Sequence, residues 1–375
     1  MSKRRGWRLR SVVGIAALGV FTFVLPPFIP GTLKANDVLY TVTDLGALGC
    51  CYQWSQASAA LALNAHGDIV GVTSSPTDPQ RMIPFIYQNG IMTAISADLG
   101  WAAGINDVGQ VTGVVFAPGL PGSHAFVYQN GVFTDIGTLP GYSNQPYAVP
   151  YAINNSGTIV GDSNAAGFVY EDGAMSILKR LSARAAYAIN DTGDIVGLIE
   201  TVTGGGPHND HGFLFSGNSL SDIGTLDGDP NSISIPLGFN RARQIVGVAW
   251  KNGNSEQRAF LWENGVFHEL PLLEPPAGYD LHYSAAAAIN NRGDIIGASN
   301  ASMFVYRDGT LIDLNRAIEK DAGGIWPSIW NVSAINDAGQ IAGTCYFGGD
   351  GAHACLLTPV MPNPPQPDAL ATSNR

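Results

Sequence analysis

Aromatic side chains and carboxylates gather ahead of a series of near-identical turns. Tyr52 and Trp54, then Trp101, Tyr142 and Tyr147, Tyr279, His282 and Tyr283, and Trp326 and Trp330 stand there, with Asp98, Asp229, Asp280 and Glu319 among them. Flat rings interspersed with acids and amides suit a sugar ring or an extended peptide: the rings cover apolar area and the acids accept hydrogen bonds. The ligand-binding set expected on this basis is Trp54, Trp101, Tyr147, His282, Tyr283, Trp326 and Trp330. The competing reading makes these aromatics packing between structural units. No Gly-x-Ser-x-Gly, His-Glu-x-x-His, phosphate loop or Cys-x-x-Cys is present, so no catalytic residue is expected. Carboxylates for glycoside hydrolysis could converge from distant segments, but nothing in the sequence pairs them. His208-Asn209-Asp210-His211 is a local histidine cluster, and a metal would need further converging ligands. His211 also fills a recurrent structural position, so neither a metal nor a cofactor is expected.

The elements that must position these residues come from one nine-residue phrase. It reads Ile-Asn-Asn-Arg-Gly-Asp-Ile-Ile-Gly at Ile289–Gly297. It returns at Leu63–Gly71, Ile105–Gly113, Ile153–Gly161, Ile189–Gly197, Phe239–Gly247 and Ile335–Gly343, seven copies spaced 36 to 50 residues apart. The second residue is always Asn, the ninth always Gly, and the fifth Gly except at Arg243. Asn-Asp-x-Gly between apolar runs is a hairpin turn: Asn bonds local backbone and Gly supplies a positive φ. The closing Gly, inside the return strand, implies a bulge or the close approach of another backbone. A calcium loop is the alternative use of these residues, but it needs about six or more oxygens. The third position holds Ala65 and Arg241 in two copies, which counts against it.

After each phrase come a loop, an aromatic strand such as Ala-Phe-Val-Tyr at 125–128, a tight Asn-Gly or Asp-Gly turn, and a fourth strand. Four strands (a, b, c, d) in a unit of about 45 residues, repeated four to eight times, describe a β-propeller. The last copy stops after strand c, and a spare d strand, Tyr40–Gly46, precedes the first phrase. That offset closes a ring, whereas a linear solenoid, the alternative, needs caps instead. The expected fold is therefore all-β: a seven-bladed propeller of four-stranded antiparallel blades closed by its N-terminal strand. The a–b and c–d turns share one face. The b–c and d–a connections, read as long and variable, share the other, where binding is expected.

Outside the repeats, residues 1–35 carry a basic head, the uncharged apolar run Ser11–Leu25 and then Pro26, Pro27 and Pro30. This order reads as a signal peptide, or as an uncleaved anchor. Residues 36–360 form the propeller, and 361–375 a disordered Pro-rich tail. Removing the six basic residues of the leader from the 19 Lys and Arg would leave 13 against 30 Asp and Glu, a net charge of −17. An acidic chain without a basic patch is a poor nucleic-acid partner, and no second apolar run reaches bilayer length. The four cysteines, Cys50, Cys51, Cys345 and Cys355, all fall at the ring seam, so at least one disulfide is expected there.

Ala-Ile-Asn-Asp-x-Gly-x-Ile-Val-Gly, His-Ala-Phe at 124–126 and Asp-Ile-Gly-Thr-Leu at 135–139 and 222–226 together resemble the bacterial extracellular HAF repeat family. The resemblance spans about residues 40–359. It implies an exported bacterial repeat protein, secreted, periplasmic or on the cell surface, and brings no established activity with it. The combined expectation is a non-catalytic binding module for an extracellular glycan or peptide. The alternative is a glycan lyase or hydrolase with carboxylates at the channel mouth.

Overall fold

The computed structural model describes residues 39–49, 57–140, 146–178, 183–201, 209–217, 219–318 and 327–360. Trp54, Trp326, Cys50, Cys51, the leader and the tail lie outside them. Seven four-stranded antiparallel sheets form the blades of a β-propeller. In blade one the strands are Ser58–Leu63, Ile69–Ser74, Met82–Gln88 and Ile91–Ala94. The first strand of every blade neighbours the first strands of the blades on either side, and the series runs round from Ser328–Ile335 back to Ser58–Leu63. Blade seven takes its outer strand from the N-terminal side: Tyr40–Asp44 pairs antiparallel with Ala352–Pro359, Tyr40 opposite Pro359 and Asp44 opposite Cys355. The ring is thus closed head to tail and no open solenoid remains.

Strand b is buried along almost its whole length, as in Ile69–Ser74, because a neighbouring blade covers each face. That explains its continuous apolar run. Between blades one and two, Val70 and Ile86 meet Val111, Val115 and Phe126. Phe85, Phe126, Phe168, Phe213, Phe260 and Phe304 are fully buried. Each lies opposite the closing glycine of its phrase. A Cβ on Gly113 would stand 2.1 Å from the Trp101 carbonyl oxygen and 2.8 Å from the Phe126 ring. The close approach implied by that glycine is real, and the bulge lies on the facing strand, between Ala102 and Gly104.

In blade seven Cys355 takes the place of the phenylalanine and bonds Cys345, closing the expected seam disulfide within the blade. The c–d turns Asn89-Gly90, Asn130-Gly131, Asp172-Gly173, Asn264-Gly265 and Asp308-Gly309 have positive φ at both residues, the type I′ geometry. Arg243 takes φ 61° where the other phrases have glycine. One expectation is corrected. The b–c connections are not uniformly long: blades three and six turn on two residues, Asn164-Ala165 and Asn300-Ala301. Asn tolerates the left-handed region that so tight a turn requires.

Candidate functional site

The phrase asparagines form a belt. In all seven turns the side-chain oxygen accepts the N–H four residues on, as Asn64 does from Asp68. The side-chain amide of six donates to the next blade. Asn64 reaches the Asn106 carbonyl, Asn106 that of Asn154, and Asn154 that of Asn190. Asn240 then reaches Asn290, Asn290 reaches Asn336, and Asn336 reaches Asn64 across the seam. Between Asn190 and Asn240 two ion pairs stand instead: Arg241 on Asp191 at 2.6 Å and Arg243 on Asp194 at 3.0 Å. Third-position side chains add a second belt. Asp107, Asn155, Asp191, Asn291 and Asp337 each accept the third-position N–H of the preceding blade. The residues that suggested calcium are thus tied to neighbouring blades.

The recurrent histidine is also structural. His124, His211 and His353 place Nδ1 2.9–3.0 Å from Asp135, Asp222 and Asp44, the acids of the fourth strands. Blade five substitutes Arg258 with Glu269, and blade six Ser302 with Asp313. Blades one and three have Ala94 and Ile177 in the acid position and no such pair. His211 also directs Nε2 to the Pro230 carbonyl. Both of its partners are acceptors, an arrangement that favours the doubly protonated ring, and the hydrogen bond to Asp222 raises its pKa. For Asp222 burial is the largest single influence and pushes upward, but the bonds from His211 and the Gly224 N–H together with the charge of His211 outweigh it, and its pKa is lowered.

With these residues assigned to the scaffold, the loop face offers a cleft of about 700 Å³ between blades five and six. Trp250 and Glu256 flank the Asn252–Ser255 connection of blade five, and Asp280, His282 and Tyr283 come from the segment entering blade six. Arg258 braces the floor. It is 8% exposed, donates to Glu269 at 2.9 Å and Glu256 at 2.7 Å, and holds the His282 carbonyl. Lys251 is held by Glu269 at 2.8 Å. Each of these cations therefore faces carboxylates, and the exposed Asp280 takes a bond from His282 at 2.7 Å. The cleft joins an aromatic wall to hydrogen-bonding oxygens, and Arg258, the cation that lines it, is engaged by carboxylates, as is Lys251 beside it.

Of the expected ligand-binding residues, His282 and Tyr283 share this cleft. Trp101, Tyr147 and Trp330 stand on blades two, three and seven. Trp101 leans on Phe116 with centroids 6.1 Å apart. Trp330, 45% exposed, lies flat on Tyr346 at 4.9 Å and donates Nε1 to Ser328. Tyr147 and Tyr283 cover the two-residue turns of blades three and six: their N–H groups donate to Asn164 and Asn300, and the Tyr147 hydroxyl accepts the Ala165 N–H at 2.7 Å. The sequence reading missed Trp250, Glu256 and Arg258, which lie on b–c strands rather than ahead of a phrase. A usable signal was present: arginine occupies the recurrent histidine position opposite an acid in blade five alone.

Strand order, seam and belt define a ring-closed seven-bladed propeller. No protein-family model matches the chain, and no curated protein matches it. Solved structures do. The chain is similar to the β-propeller domain of the Trilobed protease from Pyrococcus furiosus, at 8% identity and TM-score 0.52, over 83% of this chain and all of that domain. It is also similar to the extracellular domain of a putative one component system from B. thetaiotaomicron, at 12% identity and TM-score 0.51, over 86% of this chain and 40% of that one. A puromycin-hydrolyzing peptidase from Mycobacterium tuberculosis gives 9% identity and TM-score 0.51, over 86% and 56%. These likenesses concern the fold alone.

Proposed function

We propose that this chain is an exported, non-catalytic binding module of the HAF repeat type, whose blade five–six cleft takes an uncharged stretch of glycan. The carrying observation is the cleft itself: Trp250 and Tyr283 beside Glu256 and Asp280, with Arg258 and Lys251 already engaged by carboxylates. An anionic sugar would have to compete with Glu256 and Glu269 for those cations. A neutral one presents C–H area to a ring and hydroxyls to acceptors. Both oxygens of Glu256 are held, by Asn252 and Arg258, which suits positioning better than proton transfer. Export is supported by the seam disulfide, since such bonds persist in oxidising compartments.

A glycan array followed by calorimetry tests this reading. Trp250→Ala is expected to weaken binding of neutral saccharides by roughly thirtyfold, about 2 kcal/mol, with Trp330→Ala changing it little. Binding confined to acidic glycans or to peptides, or indifference to Trp250→Ala, would rule the assignment out.

A further inference from the structure

At the junction of blades three and four two buried oxygens have no partner: Asp162 Oδ1 and the Tyr187 hydroxyl. Asp162 follows the closing glycine of its phrase on strand Ile159–Ser163. The same position holds Val72, Val114, Leu198, Val248, Ala298 or Thr344 in the other blades, so it is a carboxylate where the repeat otherwise places none. Its neighbour Val160 packs with Ala183, Ile195 and Phe213 of blade four, and Asp162, two residues on, shares that face. Tyr151 and Tyr187 are the extra, bulged residues of their first strands. Leu61, Ala103 and Ala287 hold that place in blades one, two and six, so a phenol there is peculiar to this junction among them. The two rings meet edge to face at 5.0 Å. The Tyr147 hydroxyl reaches the Asp162 carboxylate from the segment entering blade three. Arg184 stands near, but is held by Asp210 at 2.8 Å. Asp162, Tyr147 and Tyr151 keep partial exposure, so the cluster lies near the surface of the junction, with Asp162 Oδ1 and the Tyr187 hydroxyl themselves covered.

A largely buried carboxylate whose nearest cation, Arg184, is engaged by another acid is costly, and the repeat shows that the fold does not require one here. A protonated amine answers every feature. Its charge neutralises the carboxylate, its N–H groups donate to Asp162 Oδ1 and the Tyr187 oxygen, and tyrosine ring faces attract it through their quadrupoles. An anion is repelled by the same groups, and a neutral hydroxyl leaves the charge unanswered. We propose that Asp162, Tyr147, Tyr151 and Tyr187 form a binding site for a small organic cation, a protonated primary amine, separate from the blade five–six cleft. Burial pushes the Asp162 carboxyl up to about 6. The amine must displace a proton below that pH, and its affinity falls as the solution is acidified.

The test is a titration of the full chain with methylammonium chloride at fixed ionic strength, read by calorimetry and by the ¹³C shift of the Asp162 carboxyl. Saturable one-to-one binding at pH 7.5 is expected, weaker by about tenfold or more at pH 5 and in Asp162→Asn, and weaker by a few-fold in Tyr187→Phe. Absence of saturable binding, or undiminished binding by Asp162→Asn, overturns the proposal. Where Asp162→Asn folds poorly, Tyr187→Phe decides, because it keeps the ring and removes only the hydroxyl: unchanged affinity then overturns it. Neutral-saccharide binding, followed in the same variants, stays unchanged, so either site can fail alone.

Discussion

At the residue scale, the phrase asparagine carries the most structure per side chain. It holds its own turn and, in six blades, ties down the next. Asn336→Ala would strand the Gln340 N–H and the buried Asn64 carbonyl, at an expected cost of about 2–4 kcal/mol. Asn190→Ala has no inter-blade rung to lose and should cost measurably less, a difference that urea unfolding of the two variants reads directly. Asp162 acts in the opposite sense. Its folded pKa of about 6 exceeds its unfolded value, so the folded state binds the proton more tightly. Stability should therefore be greatest below pH 4 as far as this group is concerned. It should fall through pH 4 to 6 and then stay about 2–3 kcal/mol lower. Asp162→Asn should flatten that decline in melts recorded across the range. A decline unchanged in the variant would mean that other groups cause it.

At the scale of elements, the joint between blades four and five differs from the rest. Asparagine rungs give way to Arg241–Asp191 and Arg243–Asp194, whose arginine side chains are 58% and 57% exposed. The Arg241–Asp191 pair, exposed on both sides, contributes little, about 0–1 kcal/mol, and salt screens it. Amide exchange at the Asn190 and Asn240 turns should accelerate with added salt, while that at the Asn106 and Asn290 turns should not. Blade seven differs in another way, having a disulfide where other blades bury phenylalanine. Opening it by the double change Cys345→Ala, Cys355→Ala should cost about 3 kcal/mol from loop entropy for a separation of ten residues. A cavity cost adds to this, because two alanines do not fill the space a phenyl ring occupies elsewhere.

At the scale of the whole molecule, closure rests on one borrowed strand. Tyr40–Asp44 supplies the outer edge of blade seven, and Asp44 pairs with His353 across it. Removing residues through Asp44 should bare the edge of Ala352–Pro359 and lead to association between chains, visible in size-exclusion chromatography. The Val360 N–H donates to the Leu39 carbonyl, so both ends of the described ring leave together on the face of the short turns, opposite the cleft. Attachment to a surface through either end should leave saccharide affinity as it is in solution.

Strand count, turn types, ring closure and a disulfide at the seam were all legible in the order of the residues. Each follows from chemistry within a few positions, repeated seven times: Asn-Gly favours a turn, an apolar run must be covered, and a missing strand must be supplied from elsewhere. Which side chains meet was settled by the folded arrangement. The carbonyl that each asparagine amide reaches lies 36 to 50 residues along the chain, or 272 back across the seam. Trp250 and Tyr283 share a cleft because blade rotation brings two unrelated connections together, while Trp101 and Trp330, alike in sequence context, stand apart on other blades. Periodicity constrains the frame, because every unit must satisfy the same local bonds. The loops obey no such repetition, and their meeting points depend on the curvature of the ring as a whole.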